Sequence, residues 1–427
     1  MAATGGPTVV NFFDKVIETY DKSNNLIDLV SFVEPDDAMM QNSGEVITRP
    51  VQQQRPTVSG WDLSALDYEI IEEAAFASLG TPTGDIVTQR ADKLRDPHYL
   101  DDMAEASANK QAAVLNSAIL TSAAAVGSLF FRSAETSGYD FISNGKAILD
   151  ERGKPMDSRI FVLNNRDSRL FSKDLAARQT LNGRPEKVWE NGQLGQNIAG
   201  FDVYESPHCP NLTGGVDPAT TVTGNQSFKP LPGTVVTTAP TNIVTNNDYR
   251  YASVVVAASA NYAVGDKVQL AVAGVPIQSL NILNKNATGQ PMTFSVVSKP
   301  DGTHILVTPK PIAMDDAALT VVEASYSNIN TQIINASTVN RLNIDASEQT
   351  NIFWQKKAIE VIGGTLPIGK MKDFSGYKML SQKMKNGLTM YMFYDGDIGT
   401  LNFRYRLFTW YSVNILDPSA VGVGVAV

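Results

Sequence analysis

The run YLDDMAEASANKQAAVLNSAILTSAAAV, residues 99–126, predicts the clearest helix of the chain, because it is rich in alanine and contains neither glycine nor proline. Asp96 is the expected N-cap, and Pro97 suits the first helical position. Gly127 is expected to end the helix. A helix of roughly 30 residues is about 45 Å long. Small side chains permit close packing around it, so we expect this helix to act as a beam.

Helical and strand-like segments both occur around this beam. SRIFVLNN (158–165) and IAGFDVYESP (198–207) are typical of strands, and SRLFSKDLAAR (168–178) between them is typical of a helix. KMLSQKMKNGLTMYMFYDGD (378–397) predicts a hairpin with an Asn-Gly turn, and LNFRYRLFTWYSVNIL (401–416) predicts a core strand. This mixture predicts an α+β fold.

Composition changes within residues 222–345, where Thr, Val, Asn and Ala dominate. Short strand candidates recur there at nearly regular spacing, and Gly, Asn, Asp and Pro separate them. Such a pattern favours a small β-barrel or sandwich, inserted into the α+β host fold. The candidate strands are YASVVVA, DKVQLAV, PIQSLNIL, MTFSVVS, HILVTPK and LTVVEAS.

The composition of the whole chain favours a structural protein over an enzyme. Its 427 residues carry a formal net charge of −9, which is poorly suited to coating nucleic acid without sequence preference. One cysteine, Cys209, excludes an intrachain disulfide, and three histidines leave few groups for metal or acid–base chemistry. No run of 18 apolar residues and no secretion signal occur, so we expect no membrane segment. We also expect no cofactor.

Two functions from other classes compete with a structural role. GTLPIGKM (364–371) is close to a phosphate-binding loop, but Met371 stands where a hydroxyl is needed for magnesium. Pro367 also removes a backbone N–H from a loop that would work through such groups, so a turn between strands is favoured. The second competitor is a phage tail or surface adhesin, which the Thr- and Asn-rich β segment would suit.

The charged run RADKLRDPH (90–98) precedes the long helix, and its charges alternate in sign. Arg90, Asp92, Arg95 and Asp96 belong to it. One interpretation is a solvated segment that leads into the helix. The other is an inter-subunit salt-bridge cluster, since mixed charges suit contacts that set register between chains. The sequence leaves both open.

Residues 7–33 predict a short amphipathic helix with extended flanks. Asp14 and Glu18 lie one turn apart and form a small acidic face. This face is either the solvent side of the helix or a docking surface for a basic partner. The apolar residues of the helix fall near one other face, and they are Val10, Phe13, Val16 and Ile17.

Taken together, these segments resemble the coat proteins of P22-type short-tailed phages, which share the HK97-like capsid fold. The matching stretches occur in the family's order and spacing from end to end, which is more specific than any single motif above. They are VQQQRPTVSGWDLS (51–64), RADKLRD (90–96), AGFDVYESP (199–207), GNQSFKP (224–230), FSVV (294–297), DGTHILVTPKPIAMDD (301–316), NINTQ (328–332), TNIFWQKKAIEVI (350–362), GDIGTL (396–401) and WYSVNILDPSAVGVGV (410–425).

The resemblance implies the architecture of that family, with an inserted all-β barrel. The implied segments are an N-arm (1–35), an E-loop and P-domain (36–149) with a spine helix at about 97–127, the first part of an A-domain (150–221), an I-domain β-barrel (222–345), the second part of the A-domain (346–395), and a return to the P-domain (396–427).

The implied function is that of a major capsid protein, not an enzyme. Copies would form the hexamers and pentamers of an icosahedral shell in the host cytoplasm, together with scaffolding protein and a portal protein. The shell would expand as double-stranded DNA is packaged, enclosing the DNA without specific binding. Large, individually weak interfaces suffice for such a role.

The resemblance also implies contacts for named residues. Asp14 and Glu18 match acidic positions that bind the basic tail of the scaffolding protein, and Lys15 stands where the family can carry an acid. LPGTVVTTAPTNIVTNND (231–248) corresponds to a loop that reaches a neighbouring capsomer, without the acidic tip of the family. Inter-subunit contacts are expected from Arg90, Asp92, Arg95, Asp96, Trp61, Asp248 and Arg250.

Overall fold

The chain divides into two compact units. One unit comprises Met1–Ile47, Ala77–Ile119 and Glu360–Asn414, and the other comprises Thr48–Phe76, Leu120–Ile359 and Ile415–Val427. The computed structural model describes residues 7–24, 26–34, 46–51, 54–56, 61, 71, 73–135, 137–171, 193–216, 219–230, 248–344, 346–366, 378–397, 399 and 401–427.

Helices and many strands both occur along the described chain, which confirms the predicted α+β class. The helices are α1 (Pro7–Ser23), α2 (Pro97–Val126), α3 (Gly138–Glu151), α4 (165–171) and α5 (Val321–Ala324). Short 3₁₀ turns occur at Ile27–Leu29, Ala91–Arg95, Ser259–Asn261, Lys356–Ala358 and Pro418–Ala420.

Strands β1–β26 follow in chain order. Before residue 215 they are β1 (Ser31–Val33), β2 (Val46–Pro50), β3 (Ala74–Ser78), β4 (Thr83–Arg90), β5 (Leu129–Ser133), β6 (Arg159–Leu163), β7 (Gln193–Ile198), β8 (Phe201–Glu205) and β9 (Asn211–Leu212). Within the Thr- and Asn-rich segment they are β10 (Ala219–Thr221), β11 (Ala252–Val255), β12 (Lys267–Val272), β13 (Val275–Pro276), β14 (Gln278–Leu280), β15 (Ala287–Pro291), β16 (Thr293–Ser298), β17 (His304–Thr308) and β18 (Thr338–Arg341). The remaining strands are β19 (Glu348–Gln349), β20 (Asn351–Gln355), β21 (Ile359–Gly363), β22 (Lys378–Lys383), β23 (Thr389–Asp397), β24 (Asn402–Thr409), β25 (Tyr411–Ile415) and β26 (Val421–Ala426).

The first unit is built around a four-stranded sheet in the order β22-β23-β24-β4. Helices α1 and α2 cover one face of this sheet. Phe12 of α1 stacks on Tyr405 of β24, with ring centroids 5.2 Å apart. Ser107 of α2 donates a hydrogen bond to Asp85 of β4 over 3.1 Å. A smaller sheet in the order β1-β21-β25 belongs to the same unit.

The second unit contains a six-stranded sheet in the order β5-β26-β20-β6-β8-β7. Its core is largely aromatic, because Phe161 and Phe353 stack at a centroid distance of 5.6 Å and Phe201 meets both rings edge-on. The repeat VGVGVA of β26 leaves room for its neighbours. A Cβ atom at Gly422 would lie only 2.7 Å from the Cβ atom of Leu129, so only glycine allows this close approach.

The Thr- and Asn-rich segment folds as a barrel within the second unit. Its strands pair in the order β10-β18-β12-β16-β17-β11, and a bridge between Val222 and Val256 joins the two outer strands. The sheet therefore closes on itself, which removes exposed strand edges. The barrel interior is apolar and includes Val254, Tyr262, Val268, Leu270, Phe294, Val296, Ile305 and Val339.

One predicted strand of this segment is wrong. LTVVEAS (319–325) contains the helix α5 instead of a strand. Thr320 accepts a hydrogen bond from the backbone N–H of Glu323, and the Glu323 carboxylate accepts one from the N–H of Thr320. This reciprocal capping box satisfies two otherwise free donors, and it outweighs the β preference of Val321 and Val322.

Both ends of α2 have specific hydrogen-bond partners. Asp96 caps the N-terminus as predicted, since its Oδ1 accepts from the N–H of His98 at 3.0 Å. The C-terminal turn receives donors from the barrel. Nζ of Lys267, on β12, lies 2.6 Å from the carbonyl oxygens of both Ala124 and Gly127.

The barrel adds two more donors to helix ends. Ser295 of β16 donates to the carbonyl of Ala125 over 2.6 Å, and its Oγ also accepts from Lys267. Asn281 donates to the carbonyl of Glu151, the last residue of α3, over 3.0 Å. The last carbonyls of a helix have no partner within the helix. The barrel therefore caps the C-terminus of α2, and the residue that follows β14 caps that of α3.

Lys267 is fully buried, and its environment acts on its charge in two ways. Burial lowers the pKa of Lys267 to about 7, and the neighbouring carboxylate of Asp266 opposes this change. The carbonyl oxygens at a helix C-terminus favour a cation. Near neutral pH both the charged and the neutral forms of Lys267 are therefore populated, and its Nζ contacts the carbonyl oxygens at the end of α2.

We expect Lys267→Met to lower the free energy of unfolding at pH 9 by about 1–3 kcal/mol, because buried carbonyls lose their donor. The difference from the native protein should shrink as the pH falls from 9 to 6. Since the folded pKa of about 7 lies below the ordinary 10.5, the native protein must bury a charge as Lys267 protonates, which lowers its stability.

Urea unfolding at four pH values between 6 and 9 measures this difference. Lys357→Met, at an exposed lysine of the same unit, is the matched control and should leave stability unchanged within about 0.5 kcal/mol. A destabilisation by Lys267→Met that is the same at every pH would contradict the expectation.

Candidate functional site

The acidic face of α1, formed by Asp14 and Glu18, is exposed to solvent. The opposite side of α1 is buried in the first unit, which fixes the orientation of the acidic face. Glu18 already has a cation, because Lys22 donates to its carboxylate over 2.7 Å. This hydrogen bond and the charge of Lys22 lower the pKa of Glu18. The buried residues of α1 are Phe12, Phe13, Val16, Ile17 and Tyr20.

Lys15 lies beside this face but forms an ion pair with Glu105 instead. Its Nζ is 3.4 Å from the carboxylate of Glu105 on α2. Asp14 makes no ion pair with any residue that the structure describes. Lys22 therefore offsets the charge of Glu18, whereas no described cation offsets the negative charge of Asp14.

The charged run at the start of α2 is exposed in the single chain. Arg90 and Asp92 form a loose pair at 3.6 Å, with both side chains well exposed. Asp96 is exposed and serves as the cap of α2. The backbone of Arg95 ends the 3₁₀ turn, while its side chain lies outside the described residues. These contacts agree with a solvated segment that leads into α2. The inter-subunit role of the charged run stays a prediction.

Trp61 is the most exposed large apolar side chain among the described residues, with a relative exposure of 108%. Burial of this exposed indole against a partner surface would remove apolar area from water, which is energetically favourable. Its inter-subunit role also stays a prediction.

Asp248 and Arg250 are both buried within the second unit. They are 2% and 4% exposed and form an ion pair of 2.5 Å within the chain. The guanidinium also donates to the carbonyl of Phe76 at 2.7 Å and to that of Ile415 at 2.6 Å. The Asp248 carboxylate accepts from the N–H of Phe76 at 3.1 Å.

This buried pair joins three distant segments of the second unit. It links the middle of β3, the residues before β11, and the last residue of β25, which are far apart in sequence. A buried charge is tolerated where its partners and hydrogen bonds are complete. Both side chains hold their own chain together, and a role between subunits is a prediction that these contacts do not address.

Two arginines that sequence reasoning missed lie on β24. Arg404 and Arg406 are exposed, while Tyr405 between them is buried. The alternation in NFRYR, with a cation at every second position, is the signal that could have identified a charged sheet face. Lys267 was also missed, because nothing in DKVQLAV indicates that its lysine lies inside the fold.

The phosphate-loop candidate is described only in part. Gly364 to Leu366 follow β21, and Pro367 to Met371 lie outside the described residues. Gly364 packs against the indole of Trp410, where a Cβ atom would lie 2.5 Å from the ring. This glycine therefore serves packing in the first unit. Across the described part of the chain, no helix combines the length and apolar character needed to cross a membrane.

We expect Arg250→Met to lower the free energy of unfolding of the isolated chain by about 3–5 kcal/mol, because it leaves the Asp248 carboxylate buried without a cation. Asp248→Asn combined with Arg250→Met should cost less than the two single changes added together. Chemical unfolding of the unassembled protein measures both, and Arg90→Met is the exposed control. An unchanged unfolding midpoint for Arg250→Met would contradict an intrachain role.

Known proteins with similar structures or sequences indicate the family of the chain. Three solved structures of low sequence identity align over most of its length. The capsid of cyanophage P-SCSP1u has 10% identity and a TM-score of 0.45, covering 95% of this chain and 89% of that one. The virus-like particle of Pyrococcus furiosus has 6% identity and a TM-score of 0.40, covering 96% of both chains. The head of Helicobacter pylori bacteriophage KHP40 has 9% identity and a TM-score of 0.40, covering 95% and 90%.

A family model decides the assignment. The model described as P22 coat protein, gene protein 5, matches residues 1–426, which is nearly the whole chain. Coat proteins of this kind assemble with one another into the capsid shell of the virion. The match agrees with the resemblance found along the sequence and with the α+β architecture. This chain therefore belongs to the P22 coat protein family and is a phage major capsid protein.

Proposed function

We propose that the chain assembles with an internal scaffolding protein into an icosahedral procapsid, in which it forms hexamers and pentamers. The shell expands as double-stranded DNA enters, and a portal protein occupies the entry point. Assembly takes place in the cytoplasm of the bacterial host. The observation that carries this proposal is the family match over residues 1–426.

Each segment that the family resemblance implies has a proposed role in this assembly. The barrel of β10–β18 is proposed to be the I-domain, and α2 the spine helix of the P-domain. The six-stranded sheet, which contains β6, β8 and β20, agrees with the proposed A-domain. Residues 1–35 are proposed to be the N-arm, and most of the proposed E-loop lies outside the described residues.

The acidic face of α1 is the proposed contact for the scaffolding protein. The buried side of α1 is anchored in the first unit, so Asp14 and Glu18 are presented on a fixed helix. Lys22 compensates Glu18 and Glu105 compensates Lys15, which leaves Asp14 as the main attraction for a basic segment. An exposed contact of this kind weakens with salt, because charges separated by water are screened.

The charge of the chain suits the enclosure of DNA without tight binding. A net charge of −9 gives no general attraction for the phosphate backbone. A wall that bound DNA strongly would hinder both filling and release. The proposed role therefore needs contacts between copies and with scaffold, and it needs none that recognise DNA bases.

Co-expression of the chain with the neighbouring late genes tests the assembly proposal. Negative-stain microscopy of the lysate should show closed shells of uniform size, and gel analysis should find scaffolding protein inside them. Sedimentation separates shells from unassembled chain. Fibres or soluble trimers in place of shells would contradict the proposal.

We expect Asp14→Ala to lower the scaffold content of shells, because it removes the main negative charge of the acidic face. A loss of about 1 kcal/mol, or roughly fivefold in affinity, is typical of a single exposed charge contact. Asn11→Ala changes an exposed residue of the same helix without changing charge, and it serves as the control. Normal scaffold content in the Asp14→Ala shells at low salt would exclude this contact.

A further inference from the structure

The four-stranded sheet of the first unit has two chemically different faces. Strands β4 and β24 pair so that Ile86 lies opposite Arg406 and Val87 lies opposite Tyr405. Side chains that face each other across paired strands point to the same side of a sheet. Tyr405 stacks on Phe12 of α1, so its side is the one that the helices cover. Ile86 and Arg406 therefore point to the opposite side.

The uncovered side carries cations next to an exposed apolar residue. Arg404 and Arg406 are both exposed, and Ile86 is 65% exposed. Neither arginine forms an ion pair with a described residue. The guanidinium of Arg406 lies over the ring of Phe408, 5.6 Å from its centroid, which restrains it without neutralising its charge. We call Ile86, Arg404 and Arg406 the arginine face.

Asp395, the register partner of Arg404 on β23, does not neutralise this face. Its carboxylate accepts a hydrogen bond from the N–H of Gly396 at 2.8 Å and forms no ion pair with Arg404. Two guanidinium groups thus remain available beside an apolar side chain, in a protein whose overall charge is negative.

The helix side of the same unit carries the opposite charge. Asp101 and Asp102 lie in the opening turns of α2, and both are exposed. Nearby acids differ in this respect, because Glu105 pairs with Lys15 and Asp85 pairs with Lys110. No described residue forms an ion pair with Asp101 or Asp102. We call these two residues the acidic turn.

The arginine face and the acidic turn lie on opposite sides of one sheet, so they cannot meet within a chain. We propose that the arginine face of one copy docks against the acidic turn of a neighbouring copy. A contact between two different surfaces of identical chains is head-to-tail, and repeated around an axis it closes a ring. The proposal rests on self-assembly of the capsid family, and it is independent of the scaffold contact.

The chemistry of the arginine face favours a protein occupant over nucleic acid. Arginine pairs with carboxylates in a planar, two-point geometry, which fixes orientation as well as distance. The exposed Ile86 adds apolar contact that a phosphate backbone would not use.

Charge reversal with rescue tests the contact. Arg404→Glu with Arg406→Glu, and separately Asp101→Lys with Asp102→Lys, should each slow shell assembly at least about tenfold at low salt, since rim charges act mainly on the association rate. The chain with all four changes should assemble within about threefold of the native rate. Light scattering of purified chain mixed with purified scaffolding protein, at matched concentrations, gives the rate, and circular dichroism confirms folding.

Arg404→Lys with Arg406→Lys keeps the positive charge and is the matched control, which should retain most of the rate. If the fourfold variant is as slow as the two reversal variants, the pairing is wrong. Normal assembly of the arginine-reversed chain would also overturn it. If the native chain forms no shells, the assembly proposal fails and not this contact.

Discussion

The last carbonyl groups of α2 end inside the second unit, where water does not replace a missing donor. Helix α2 contributes to both compact units, the first through Ile119 and the second from Leu120 onward. Its C-terminal carbonyls are satisfied by Lys267 and Ser295, which are barrel residues. The barrel thus completes the hydrogen bonding at the C-terminus of α2.

Where local chemistry decides structure, the sequence carries the information needed to predict it, whereas long-range contacts leave no such pattern. Asp96 and Pro97 define the start of α2 from the sequence alone, because capping depends on neighbouring residues. In LTVVEAS the same local chemistry was present but overlooked, since Thr320 and Glu323 form a capping box inside an apparent strand. The outcome at Lys267 depends on residues 140 or more positions away, and no pattern along the chain reports such contacts.

The same distinction applies to the candidate site. Asp14 and Glu18 were identifiable, because their spacing on an amphipathic helix places them on its polar side. Asp248 and Arg250 lie near the end of a loop segment in the sequence, and their buried contacts involve Phe76 and the distant residue Ile415. Charge and spacing in a sequence therefore suggest which residues can pair. They do not determine whether the partner belongs to the same chain.

Burial separates the charged groups of this protein into two classes with different roles. Buried groups such as Arg250 have complete partners inside the chain, and removing one leaves a charge in a medium that solvates it poorly. Exposed groups such as Asp14, Asp101 and Arg404 keep their hydration, so each contact made through them is weak and sensitive to salt. Burial raises the pKa of the thiol of Cys209 to about 12, which disfavours the thiolate needed for a disulfide between copies. A shell joined by many weak, reversible contacts can correct misplaced copies during growth, while the buried pair of Asp248 and Arg250 stabilises the second unit of each copy.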